Sequence, residues 1–93
     1  MDVKIEENDT KGAAIIELEG KKMAEMTYSI ASPNLIIIDH TEVDDSLKGQ
    51  GMGRKLLLTI IEKARKQNIK IIPLCPFAKS VFDKEESLHD VLT

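Results

Sequence analysis

The stretch "HTEVDDSLKGQGMGRKLL", residues 40–57, runs from a strand-like segment through three glycines at alternate positions into a helix-forming one. Gly49, Gly51 and Gly53 make the backbone permissive, and Arg54-Lys55-Leu56-Leu57-Leu58 begins a helix immediately after them. A helix N-terminus offers N–H groups without acceptors and the positive end of its dipole, so it attracts anions. Glycines let an anion come close to those groups, and Lys48 and Arg54 add positive charge at either end of the loop. A plainer reading stands beside this one. The same glycines suit a tight strand-to-helix turn that lets the helix pack close to a sheet.

Working outward, the chain reads as alternating short strands. Val3 to Glu7 is a short strand candidate, and Glu7 to Gly12 a polar turn. Ala13 to Leu18 follows, with Ile15 and Ile16 on opposite faces. Glu19-Gly20-Lys21-Lys22 suits a hairpin, since glycine supplies the positive φ that such turns need. Met23 to Ile30 alternates Ala24, Met26, Tyr28 and Ile30 against Glu25, Thr27 and Ser29, a period-2 pattern. Leu35 to Val43 opens with four consecutive apolar residues, which predicts a central strand buried on both faces.

Beyond the glycines, Met52, Leu56, Ile60 and Ala64 recur every four residues, and Leu57 and Ile61 widen the stripe. That predicts an amphipathic helix from about Gly51 to Gln67, with Asn68 as its C-cap and Arg65 and Lys66 in its last turn. Lys70 to Leu74 reads as a strand, Phe77 to Lys84 as a helix and Ser87 to Leu92 as a last amphipathic piece. The β–α–β unit from Leu35 to Leu74 predicts a parallel strand pair with a right-handed crossover. The expected fold class is therefore α+β: a mostly antiparallel sheet, one parallel βαβ unit and a short C-terminal helix pair, in one domain spanning residues 1–93.

Composition narrows the function classes. The chain has 93 residues, 42% apolar and 31% charged, as in soluble globular proteins. It has no Trp, one Tyr and two Phe, so the core must be aliphatic. A net charge of −3 argues against non-specific nucleic-acid binding. No apolar run is long enough to cross a membrane, and no apolar signal core opens the chain. The single Cys forms no internal disulfide, which fits a reducing cytoplasm. Two His and one Cys, dispersed, offer no four-ligand zinc site, so no metal is expected. An edge strand of a small mixed sheet allows a monomer or a weak homodimer.

The anion itself can be narrowed. ATP loops of the P-loop class end in Gly-Lys-Ser/Thr, and Gly53-Arg54-Lys55 does not. The dinucleotide fingerprint is G-x-G-x-x-G, whereas the spacing here is G-x-G-x-G and antiparallel strands come first. Lys48-Gly49-Gln50-Gly51-Met52-Gly53 instead resembles the acetyl-CoA pyrophosphate loop of the GCN5-related N-acetyltransferases (GNAT), Arg/Gln-x-x-Gly-x-Gly/Ala, with Lys48 where Arg or Gln is usual. The preceding Thr-Glu-Val strand end and acidic turn fit as well, as does "IIPLCPFAKSVFDK", residues 71–84, as the next strand and helix. The resemblance covers nearly the whole chain and is closest to a small, minimal subfamily that lacks the N-terminal helices. It implies an acetyl-CoA-binding protein of GNAT-like fold. The backbone near Val43 would pair with the pantetheine arm. Lys48, Gly49, Gln50, Gly51, Met52, Gly53 and Arg54 would hold the pyrophosphate. It also implies transfer of acetyl to an amine, either a small molecule or a protein lysine; the alternative is a CoA or acyl-CoA-binding module without turnover.

Acetyl transfer needs a base, an oxyanion stabiliser and a way to protonate the leaving thiolate. His40 and Glu42 lie two apart on the strand before the loop and so share a face. Histidine exchanges protons near neutral pH, and a carboxylate does so where burial favours its protonated form. Cys75 ends the second parallel strand, where α/β sheets place ligands and a helix N-terminus favours a thiolate. There it is a candidate to accept acetyl from the cofactor and pass it on, against the plainer reading of a small buried hydrophobe. Relatives often carry a Tyr in the helix after this strand as general acid. Here the aromatic residues are Phe77 and Phe82, which cannot donate a proton, and Tyr28 lies far upstream. His89 reads as a solvated tail residue.

Overall fold

A computed structural model describes residues 2–93. Five strands lie in the order β1-β2-β3-β4-β5: β1 (Lys4–Glu7), β2 (Lys11–Leu18), β3 (Lys21–Ser32), β4 (Leu35–Val43) and β5 (Lys70–Pro73). The first four form an antiparallel meander, and β5 pairs with β4 in parallel, from Leu35 opposite Lys70 to Ile38 opposite Pro73. A 3-10 turn (Asp45–Leu47) and helix α1 (Met52–Gln67) form the crossover between them. Helix α2 (Pro76–Lys84) and a 3-10 segment (Glu86–Val91) complete the chain.

The turns follow from their residues. Asn8 Oδ1 accepts from the N–H groups of Thr10 and Lys11, each at 2.9 Å, and so closes the first hairpin. Glu19 and Gly20 both take positive φ, 52° and 78°, as a two-residue hairpin between right-twisted strands requires. Asn68 ends α1 in the left-handed conformation, its N–H on Ala64 O.

The core lies between one face of the sheet and the helices. Ile16, Met26, Tyr28, Ile36 and Ile38 meet Leu56, Leu57, Ile60, Ile61 and Ala64 of α1. Ala78, Val81 and Phe82 of α2 and Leu88 and Val91 of the C-terminal segment join the same cluster. Arg65 fastens that segment to α1 through a two-pronged pair with Asp90, at 2.9 and 2.8 Å.

Two expectations need correction. β4 is not buried on both faces: Ile36 and Ile38 are buried, but Leu35 and Ile37 are only half-buried, and the strand's last five residues are half-buried or exposed. It lies next to the parallel edge rather than under two helix layers, so its apolar run reflects one covered face and one partly shielded face. Leu74 falls outside β5 and is 65% exposed.

Gly12, expected in the polar turn, lies inside β2, opposite Tyr28. The Tyr28 ring crosses directly over it. A Cβ at Gly12 would collide with Tyr28 Cζ. The ring thereby reaches the edge strand, where its hydroxyl donates to Glu7 Oε1 at 2.6 Å. Lys63 of α1 pairs with the same oxygen at 3.4 Å.

One irregularity in β4 sets up the site. Tyr28 lies opposite Ile38 and Thr27 opposite His40, which leaves Asp39 as an extra residue. A bulge of this kind shifts the strand's alternation by one. Before it, Ile36 and Ile38 face the helices. After it, Thr41 and Val43 face them, and His40 and Glu42 turn to the opposite face, beside Thr27 and Glu25.

Candidate functional site

A groove of about 640 Å³ runs from the end of β4 between the glycine loop and α2. Its apolar walls are Val43, Leu47, Met52, Phe77 and Val81; Lys48, Arg54, Lys84 and Glu85 stand with them as its charged groups. This is the size and mixture of a ligand cleft: mostly apolar, with a few placed polar groups.

The loop opens one wall. Asp44 Oδ2 accepts from Ser46 N–H at 3.0 Å and from its hydroxyl at 2.6 Å, starting the 3-10 turn that buries Leu47. These bonds hold the Asp44 carboxyl below its ordinary range. Gly49 and Gly51 then take positive φ, 81° and 75°, with open space where a Cβ would stand. Gly51 is the N-cap of α1, and no side-chain cap bond forms there among the described residues. The first turn, whose N–H groups have no intrahelical acceptors, forms part of the groove wall. Gly53 differs. It is buried, and a Cβ there would meet Phe77 Cζ at 2.7 Å. Its missing side chain makes room for the Phe77 ring, so of the three glycines this one also follows the close-packing reading.

The charged groups at the loop are paired with carboxylates. Lys48 Nζ lies 2.9 Å from Asp45. Arg54 makes a two-pronged pair with Glu85, Nε to Oε2 at 2.9 Å and Nη2 to Oε1 at 2.5 Å. Gln50 is turned away, its side-chain amide donating to Ser46 O at 3.2 Å.

At the far end of the groove, β4 and β5 part. The N–H groups of Leu74 and Cys75 both reach Ile38 O, at 3.1 and 3.0 Å, and pairing stops there. Asp44 N–H turns toward Met23 O. Antiparallel alternation therefore turns the backbone of Val43 and Thr41 the other way, toward the gap that β5 has left. Cys75 is the N-cap residue of α2 and is 5% exposed. Its Sγ lies 3.1 Å from Thr41 Oγ1. Thr41, which the sequence reading passed over, both lines the groove and touches the thiol.

His40 and Glu42 stand together, Nε2 to Oε1 at 3.1 Å, but on the other side of the strand from Thr41 and the groove. Both are exposed, so the burial that a carboxylate base needs is missing at Glu42. His89 is exposed as expected, and its Nε2 also contacts Phe82 O at 2.5 Å near the end of α2.

Residues 13–91 match the sequence pattern of a family described as GCN5-related N-acetyl-transferase. Among solved structures, the fold matches a GCN5-like protein of Staphylococcus aureus at 43% identity and TM-score 0.72, over 97% of this chain and 87% of that one. It also matches the ribosomal-protein-alanine N-acetyltransferase of Brucella melitensis at 14% identity and TM-score 0.68, over 83% of this chain and 62% of that one. For Tetrahymena GCN5 the figures are 18% and 0.67, over 83% of this chain and 51% of that one. At such identities these last two show the fold alone. No curated protein matches the chain.

Proposed function

This chain belongs to the GCN5-related N-acetyltransferase family, and from that premise we propose that it binds acetyl-CoA in the groove and transfers the acetyl group to an amine. One observation carries the reading: a glycine loop with an uncapped helix N-terminus opens onto an apolar channel that ends at Thr41, beside Cys75. A diphosphate suits the loop, where N–H groups, Lys48 and Arg54 converge. The pantetheine arm suits the channel, with the outward-turned backbone of Val43 as a hydrogen-bonding rail. Gly49, Gln50, Gly51, Met52 and Gly53 supply backbone to the phosphates in this assignment.

In the proposed transfer the Cys75 thiolate attacks the thioester carbonyl. A carbon–sulfur bond forms to Cys75, the bond to the coenzyme sulfur breaks, and the coenzyme leaves as a thiolate that takes up the proton the Cys75 thiol released. An amine then attacks the acetyl-cysteine, gives up a proton and restores the thiol. His40, oriented by Glu42, is the proposed base for that amine, approaching from the other side of the parted strands.

The burial of Cys75 supports a second reading, a module that holds CoA or acyl-CoA without turnover. A titration with acetyl-CoA followed by amide shifts tests binding; shifts confined to residues 43–54 are expected, and no shift overturns both readings. Intact mass after incubation then separates them. A gain of about 42 Da on Cys75, one acetyl group, supports transfer through the thiol. No gain, together with no thioester loss across a panel of amines, leaves the binding module.

A further inference from the structure

The Arg54–Glu85 pair joins the first turn of α1 to the residue that ends α2, and both members line the groove. Glu85 is fixed from behind, its backbone N–H on Val81 O at 3.0 Å. Its carboxylate engages the guanidinium through two parallel contacts, at 2.9 and 2.5 Å. Each group supports the other's charge: the bond to Arg54 holds the Glu85 carboxyl below its usual range, and the bond to Glu85 raises the guanidinium.

Glu85 occupies the Nε–Nη2 edge of the guanidinium, one of the two edges that can take a two-pronged anion contact. A diphosphate at the glycine loop that recruits this edge must take it from Glu85, and one that takes the remaining edge binds beside the charge of that carboxylate. We infer that Glu85 is a built-in competitor for the ligand's phosphates, holding Arg54 closed across the groove mouth until a multiply charged anion displaces it. This rests on the reading of the groove as a diphosphate site and adds a control to it. The exchange of one ion pair for another weakens binding and hastens release. A singly charged anion, which gains little more from Arg54 than Glu85 already provides, is held off.

The test is calorimetric titration with CoA of the wild type, E85Q, E86Q, R54Q and the double variant R54Q/E85Q. Glu86 is an exposed neighbouring carboxylate, so E86Q removes the same charge without freeing Arg54. The expected result is CoA binding tightened about fivefold in E85Q, the scale of an exposed ion pair, with E86Q unchanged. In the R54Q background the E85Q effect should vanish, since it acts through the guanidinium. Unchanged or weaker binding by E85Q overturns the inference, as does an equal gain in E86Q, which would reflect charge alone. If neither the wild type nor E85Q binds CoA, the reading of the groove itself falls. Circular dichroism of each variant checks that the fold is intact.

Discussion

The Thr41 hydroxyl and the Cys75 thiol lie 3.1 Å apart across the gap where β4 and β5 separate, brought together from positions 34 residues apart in sequence. The contact depends on the bulge at Asp39, which turns Thr41 to the helix side. When Cys75 ionises, the hydroxyl is the partner that still has a proton to donate. Thr41→Val should therefore slow alkylation of Cys75 by iodoacetamide at neutral pH by about tenfold, the scale of a hydrogen bond to a charged group. The valine keeps the shape of the side chain, so the melting temperature should move little. An unchanged alkylation rate in a folded T41V protein would show that the contact does nothing for the thiolate.

Gly53 and Phe77 make a second contact that can be read as a pair. Gly53→Ala pushes a methyl group into the ring and should cost about 1–3 kcal/mol of stability, as overpacking does. Phe77→Ala removes the obstacle. The double variant should then be less destabilised than the sum of the two single changes, with coupling of about 1 kcal/mol between touching residues. Denaturant unfolding measures it; strict additivity would mean that the helix termini shift apart and that the two residues are independent.

Tyr28 gives the chain a pH signature at the alkaline end. Burial, helped by its bond to Glu7, raises the phenol above its ordinary range. The folded protein thus favours the protonated phenol more strongly than the unfolded chain does. That preference is fully present below about pH 10, where the unfolded phenol titrates, and is lost as pH rises beyond it. The wild type should lose stability across that window. Tyr28→Phe should start about 1 kcal/mol lower at neutral pH, for the lost hydrogen bond, and show a shallower decline. Parallel curves for the two proteins would remove Tyr28 as the source.

His40 separates catalysis from binding. It lies on the opposite side of β4 from the groove, so His40→Ala should leave the affinity for CoA as it is. If His40 serves as base, turnover of an amine acceptor should fall by about a hundredfold. Turnover equal to the wild type would take His40 out of the mechanism.

Much of the architecture was legible because it follows from periodicity. The alternation from Met23 to Ile30 and the four-residue stripe from Met52 to Ala64 both settled into the elements they predict. Asn68 ends α1 as its residue type suggests. The glycine loop was legible as a turn before a helix, with positive φ at Gly49 and Gly51. What escaped were relationships between distant positions. Gly12 reads as a turn residue until Tyr28 is known to lie over it. Gly53 reads like its two neighbours until Phe77 is placed. Arg54 reads as free charge until Glu85, 31 residues on, closes on it. The bulge at Asp39 has no signature of its own, because an extra residue exists only relative to the partner strand. Counting by twos from Ile36 and Ile38 puts His40 and Glu42 with the core and Thr41 outside, the reverse of what forms.

Asp39 thus works as a parity bit for β4. Whether it bulges out or pairs decides which downstream positions address the groove, while every contact upstream stays as it is. Drawing it into a regular ladder opposite Thr27 would keep the helix-facing isoleucines in place and exchange the two sets of side chains at the strand's end. A histidine would then face the thiol, with the threonine on the outside. Deleting it would instead close the bulge and leave His40 opposite Thr27 and Thr41 on the groove side. In this chain the pairing of a single residue determines which chemistry each side of the sheet presents.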